Sequence, residues 1–132
     1  MTDRQTFIPI ETELGVLQDR TSLYLDALEY ELNGILRLKG GFSEQSAESE
    51  KRVEKNYVFT FIKVVAYQVI EIDNWIASGG YSESCFDEVI NSAWLAQLGP
   101  QTPGICKHYF LLTYDHVIQI VCAQFRLEIT DA

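Results

Sequence analysis

Two long apolar runs dominate the pattern of the chain, Asn56 to Trp75 (NYVFTFIKVVAYQVIEIDNW) and Lys107 to Thr130 (KHYFLLTYDHVIQIVCAQFRLEIT). Both are dense in Val, Ile, Thr, Phe and Tyr, which lose rotamer freedom in a helix and fit a pleated surface. In the first run Val58, Phe61, Val65, Val69, Ile72 and Ile76 also recur at helical spacing, so periodicity alone does not separate a buried strand from a buried helix. Composition favours strand, with a bend near Lys63. In the second run Phe125 to Ile129 alternates apolar and polar, as a half-buried strand does. The residues before it are apolar on both faces, as in a central strand. Asp115 and His116 fall at a turn. These runs are expected to form the centre of one antiparallel sheet, with Phe61, Val65, Val69, Val121 and Phe125 buried.

The rest of the chain is more mixed. Leu14, Leu17, Thr21, Leu25, Leu28, Leu32 and Ile35 recur at helical spacing, which predicts a helix over Glu11 to Arg20. Over residues 21–39 helix and strand both fit. Asn33-Gly34 is a favoured two-residue hairpin turn. As such it would pair Tyr30 with Arg37, Leu28 with Lys39, Glu31 with Leu36 and Glu29 with Leu38. Neither face of that hairpin is apolar, which counts against the register. Phe42 to Lys55 is the most polar stretch and reads as a solvated loop. Asn74 to Ser82 reads as a turn around Gly79-Gly80. In Glu83 to Leu98 a stripe of Phe86, Val89, Ile90, Ala93, Trp94 and Leu98 ends at Gly99-Pro100, a helix stop signal. A short helix is expected near 91–98, with Phe86 to Ile90 open to an edge-strand reading. The fold class expected is therefore α+β: an antiparallel sheet built around residues 56–73 and 107–130, an N-terminal helix and the short helix near 91–98. An all-α four-helix bundle is the alternative.

The length of 132 residues fits a single domain over 1–132. An apolar fraction of 47% is that of a globular chain. The three cysteines are odd in number and widely spaced, and form no CxxC or Cys/His pattern, so free thiols used as small core or near-surface apolar groups, and a cytoplasmic setting, are expected. The first residues lack the basic and apolar regions of a signal peptide, and no run is long and uncharged enough to span a membrane. The net charge of −9, from 19 acidic and 10 basic side chains, argues against nucleic acid or an anionic membrane as partner. It is compatible with a basic protein, steered in by opposite charge.

Candidate chemistry is sparse. His108 and His116 lie in one segment with Asp115 and Cys106, and a hairpin could bring them together for metal binding or thiolate activation. Their spacing matches no established site, and a hydrogen-bonded structural histidine is the commoner outcome. Glu71 and Asp73 flank Ile72 and would share a strand face; a solvated strand end explains them as well. Trp75 and Trp94 are core anchors or interface residues. Nucleophile-elbow and phosphate-loop motifs are absent, and no cofactor or metal is expected. The binding candidates are Asp73, Trp75, Trp94, His108, Tyr114, Asp115 and His116. The leading expectation is a non-enzymatic binding protein of bacterial-cytosol type, such as an immunity or inhibitor protein that neutralises a basic toxin. The alternatives are a small enzyme or ligand-binding module using His108, Asp115 and His116, and a structural homodimer paired through an edge strand.

Overall fold

The computed structural model describes residues 5–13, 15–18, 20, 23–45, 52–75 and 84–131. Its elements in chain order are β1 (Thr6–Pro9), β2 (Glu11–Thr12), β3 (Gly15–Val16), β4 (Ala27–Glu31), β5 (Ile35–Gln45), β6 (Arg52–Ile62), β7 (Ala66–Glu71), β8 (Phe86–Ile90), α1 (Ala93–Gln97), β9 (Lys107–Leu112), β10 (His116–Cys122) and β11 (Gln124–Asp131). Strand accounts for 61% of the described residues, and no helix among them reaches seven residues. The expected α+β class and the alternative helical bundle are both overturned.

All strand pairs are antiparallel. One sheet has the order β1-β8-β9-β10-β7, a second has β11-β6-β5-β4, and β2 and β3 form a small ribbon. The two apolar runs are strands, yet each is divided between the sheets. β6 passes into β7 through Lys63–Val65, and β10 passes into β11 through Ala123 alone. The two bent strands stay paired around the corner, with Val121 opposite Ala66 and Gln124 opposite Ile62. The Val65 N–H donates to Val121 O (2.8 Å), and the Ala123 N–H to Ile62 O (3.1 Å). Lys63 adopts φ +58° at the bend. Strands that change sheets at such corners characterise sandwiches whose sheets cross steeply.

The hairpin of β4 and β5 shows why its faces looked mixed. Glu31 pairs with Ile35, so the loop has three residues, Leu32 to Gly34, and Gly34 takes φ +88°. Three-residue loops that end in a left-handed glycine are a standard hairpin type. The added residue shifts the register by one. Leu28 now faces Leu38, Tyr30 faces Leu36, and Glu29 faces Arg37. One face becomes apolar and the other charged, because side chains alternate with period two. The hairpin tip is tied to the sheet corner by the Val64 N–H, which donates to Gly34 O (2.8 Å).

The expected N-terminal helix is replaced among the described residues by β2, β3, irregular backbone and a 3-10 position at Arg20. Gly15, at φ +81°, turns the chain there, and Leu17 and Leu25 reach the core from extended segments. Residues 14 and 19 of that expectation lie outside the described set, as do 21 and 22 of the stretch open to helix or strand, 76–82 of the expected turn, 83 at the start of the stretch after it, and 46–51 of the expected loop. The polar ends 42–45 and 52–55 of that loop are strand instead, continuing the β5–β6 ladder as far as Gln45 opposite Arg52. β8 is internal, between β1 and β9. α1 does form within the helix expected near 91–98, but only over five residues.

The main core lies between the sheets. Leu36, Leu38, Phe59 and Phe61 face Phe86, Leu111, Ile118 and Ile120, all fully buried. Phe59 is central, with ring centroids 4.9 Å from Phe86 and 5.7 Å from Phe61. A smaller core of Phe7, Val89, Phe110 and Val117 covers the other face of the five-stranded sheet, with Ile70, Ile72, Trp75 and Leu112 packed against it. Of the five residues expected in the core, Phe61 and Val121 are fully buried and Phe125 is partly buried. Val65 and Val69 are 44% and 39% exposed. Gly40 permits one close approach: a Cβ there would sit 1.8 Å from Tyr24 O. That carbonyl accepts the Tyr57 hydroxyl (2.7 Å).

Phe59→Ala should lower the unfolding free energy by about 3–5 kcal/mol, the usual loss for a buried aromatic, measured by urea titration. The far-ultraviolet circular dichroism spectrum should be of β-sheet type; a spectrum dominated by helix would overturn the fold described here.

Candidate functional site

The sequence candidates fall into two separate places. One is internal. His108 on β9 is buried, and it shares a face of the five-stranded sheet with Gln119 on β10. Gln119 is a lone polar residue in an apolar strand, so its side chain needs an internal partner. Its Oε1 lies 2.7 Å from His108 Nε2, and Ser92 Oγ lies 2.6 Å from His108 Nδ1. Ser92 also caps α1, accepting the Leu95 N–H (3.0 Å). One assignment satisfies the whole chain: Leu95 N–H donates to Ser92, the Ser92 hydroxyl donates to Nδ1, and Nε2–H donates to Gln119. The Trp94 ring stands edge-on to the imidazole, with centroids 5.2 Å apart.

Burial lowers the His108 pKa below its ordinary 6.5, and the Gln119 hydrogen bond opposes that shift. The imidazole is thus held neutral. A serine beside a histidine invites a nucleophilic reading, but Ser92 Oγ already engages a donor and an acceptor and is buried. The arrangement ties α1 to the sheet. An open cavity of about 270 Å³ adjoins it, between α1 and residues 98–104, with Cys106 in its wall. Burial raises the Cys106 pKa, and it pushes Cys122 up to about 12 with help from Cys106. Burial thus disfavours the thiolate at both positions, against a nearby Lys63 charge in the case of Cys106.

His116 does not join His108. The register places His108 opposite Val121, five positions along β10 from His116, roughly 15 Å at the rise of a strand. Among the described residues, no group of three His, Cys, Asp or Glu side chains is placed to hold a metal ion. Trp75 is half-buried against Phe110 in the smaller core (5.6 Å).

The second place is on the surface, where the two sheets meet without hydrogen-bonding to each other. β4 is an edge of the four-stranded sheet, and β7 is an edge of the five-stranded one. Tyrosines span the seam. The Tyr30 and Tyr67 rings are 5.1 Å apart, and the Tyr24 and Tyr114 rings 5.6 Å apart. The Tyr114 N–H donates to Leu23 O, and Arg20 donates to Tyr114 O (both 2.8 Å). The Ile72 N–H donates to Asp115 O (2.8 Å), bringing Glu71, Asp73 and Asp115 to one end of the seam. Asp26 lies close to Tyr24. Tyr24, Tyr30 and Tyr114 are exposed, as are Asp26, Glu71, Asp73 and Asp115. Among the described residues the ion pairs are Arg37–Glu31, Lys39–Glu29, Lys55–Asp131 and Lys107–Glu88. The four seam carboxylates are in none of them.

The structure thus places Tyr114, Asp115 and Asp73 in the seam, His108 in the interior and Trp94 half-buried beside it. Sequence reasoning missed Ser92 and Gln119, although a serine before a short helical stripe and a glutamine within an apolar strand were visible signals. It also missed Tyr24, Asp26, Tyr30 and Tyr67, which only the sheet topology brings together. Comparison of the chain with protein-family models, curated proteins and solved structures gave no match. No helix among the described residues is long and apolar enough to cross a membrane.

Stability should depend on pH through His108. Its folded pKa is depressed, so the unfolded chain binds more protons. Stability from this residue is full above about pH 6.5 and is lost as pH falls below it, by at most about 1.4 kcal/mol per pH unit. Urea midpoints measured on either side of pH 6.5 should show this slope, and His108→Gln should flatten it. Ser92→Ala, which removes a cap and leaves Nδ1 without its donor, should cost about 1–3 kcal/mol.

Proposed function

We propose that this chain is a non-enzymatic binding protein that recognises a basic protein through the tyrosine and carboxylate seam, in the manner of an inhibitor or immunity protein. The observation that carries the reading is the seam itself: two pairs of tyrosines, with Tyr24, Tyr30 and Tyr114 exposed and Tyr67 half-buried, beside four exposed carboxylates outside the ion pairs. Tyrosine supplies large contact area at low entropic cost and is enriched in binding surfaces. Unpaired carboxylates add attraction for a positive partner and speed its encounter. Some acids elsewhere are matched, as on the outer face of the four-stranded sheet, where Glu29 and Glu31 meet Lys39 and Arg37; Glu11, Glu13, Glu54 and Glu128 also lie outside the ion pairs, but not beside paired tyrosines. The alternative built on His108, Asp115 and His116 finds no support in this geometry, since His108 is enclosed and distant from the other two.

The test is capture of a partner from the source cell on immobilised protein. The partner should be basic. Its association rate should fall about tenfold or more from 0.01 M to 0.15 M salt, because the Debye length drops from about 30 Å to about 8 Å. Neutralising the seam together (Asp26→Asn, Glu71→Gln, Asp73→Asn, Asp115→Asn) should remove most of that dependence. An acidic partner, or a rate indifferent to salt, would overturn the reading.

A further inference from the structure

We infer that the open edge of β7 receives an extended segment of the partner, rich in lysine or arginine, as an added strand in the seam beside β4. This rests on the binding reading above and specifies how the partner is held.

The ladder shows which way the backbone of β7 points. The Ile72 N–H bonds to Asp115 O, and residues 66–71 pair in order with 121–116. In an antiparallel ladder alternate residues bond to the same neighbour, so Ile72, Ile70, Gln68 and Ala66 bond to β10. Tyr67, Val69 and Glu71 turn their N–H and C=O groups outward, toward the seam. Among the described residues no strand meets them.

The side chains lead to the same place. Tyr67 and Val69 lie opposite Ile120 and Ile118, two fully buried members of the main core. Val69 is thus on the core face of its sheet and yet 39% exposed. Tyr30, on the core face of β4 opposite Leu36, is likewise 39% exposed. Inward-facing apolar residues exposed on both sides of one seam are what a sheet presents where a strand is missing.

The other edges are guarded. Edge strands usually carry charge or proline, or are very short. β1 has four residues and ends at Pro9, β11 carries Arg126 and Glu128, and β4 carries Glu29 and Glu31. The sequence of β7, AYQVIE, contains neither basic residue nor proline, and its single charge is the terminal Glu71. It is the edge best suited to strand addition, a recurrent mode of peptide recognition in which main-chain bonds supply affinity and alternate side chains supply choice.

Charge selects the occupant. Asp26, Glu71, Asp73 and Asp115 border the seam outside the ion pairs of the described residues. A second copy of this chain would bring the same carboxylates and a further net charge of −9 to that site, a juxtaposition that opposes association. A basic strand is complementary.

The probe is a synthetic nine-residue peptide of alternating lysine and valine, compared with one of alternating lysine and proline. The second carries the same charge, and in the register that sets its prolines beside Tyr67 and Val69 and its lysines toward solvent it lacks the N–H groups that would bond to β7. The lysine–valine peptide should bind at low salt and slow the hydrogen exchange of the Tyr67, Val69 and Glu71 amides, read by nuclear magnetic resonance. The lysine–proline peptide should do neither. Val69→Pro removes one outward N–H and leaves the β10 ladder intact, so it should weaken peptide binding about tenfold or more. Val69→Ala, which keeps that N–H, should bind within about threefold of the parent. A circular dichroism spectrum like the parent's verifies that Val69→Pro folds, and the exchange measurement on the parent stands without it. The proposal is overturned if the three amides are already protected in the free protein, if the two peptides bind alike, or if the lysine–valine peptide does not bind. It is also overturned if a second copy of the chain takes the edge, seen as concentration-dependent protection without peptide. The salt response of the captured partner decides the broader binding reading independently of these outcomes.

Discussion

The corner at which β6 becomes β7 and β10 becomes β11 is the constraint on which the rest of this structure depends. Two strands leave one sheet and enter the other without releasing each other, so the backbone polar groups at the fold line remain satisfied. Lys63 accepts a left-handed conformation to make the turn, a cost of order 1–3 kcal/mol for a non-glycine residue held there by its surroundings. What the turn achieves is the main core. It swings Phe59 and Phe61 of one sheet over Phe86, Leu111 and Ile118 of the other. It also fixes the hairpin tip, through the bond from Val64 to Gly34.

The same corner produces the seam. β5 follows β6 along its whole length, and β4 follows β5, but β7 has turned away and has no corresponding neighbour among the described residues. A sheet that folds over itself in this way must close or leave an opening. Here it leaves one, bridged by side chains at Tyr30–Tyr67 and Tyr24–Tyr114. Candidate site and core are thus two consequences of one bend.

How much of this the sequence disclosed follows from what each signal measures. The strand character of the two apolar runs was legible, because β-branched and aromatic density reports a pleated, buried surface. A bend near Lys63 was legible too, but not that it carries the strands into different sheets, since composition does not report which neighbours a strand pairs with. The leucines between Leu17 and Leu28 gave a misleading helical period. They approach the core from separate extended segments, so their spacing reflects loop lengths rather than a helix face. Asn33-Gly34 signals a turn, but the two-residue loop it suggests is one residue shorter than the loop that forms. In a strand that difference sends every side chain to the other face. The seam residues were the least legible: Tyr24, Tyr30, Tyr67 and Tyr114 are far apart in the chain and join only through pairings at long range. His108 and His116 show the converse. They are close in sequence and belong to one hairpin, yet they sit at opposite ends of it.

The pairing of β11 with β6 bears on how the chain is made. The hairpins β4–β5, β5–β6 and β9–β10 join strands that are close in sequence, so their ladders need little loop closure. Gln124 to Asp131, however, complete the sheet alongside residues 55–62, which leave the ribosome long before them. During that interval the edge of β6 and the aromatic face of Tyr57, Phe59 and Phe61 await both their neighbouring strand and the opposing sheet. Exposed edges and apolar faces of this kind are where nascent chains associate wrongly or recruit chaperones. Yield in the cell would then be set less by the finished sandwich than by the time β6 spends without β11, so slower translation of the segment between them lengthens the hazard.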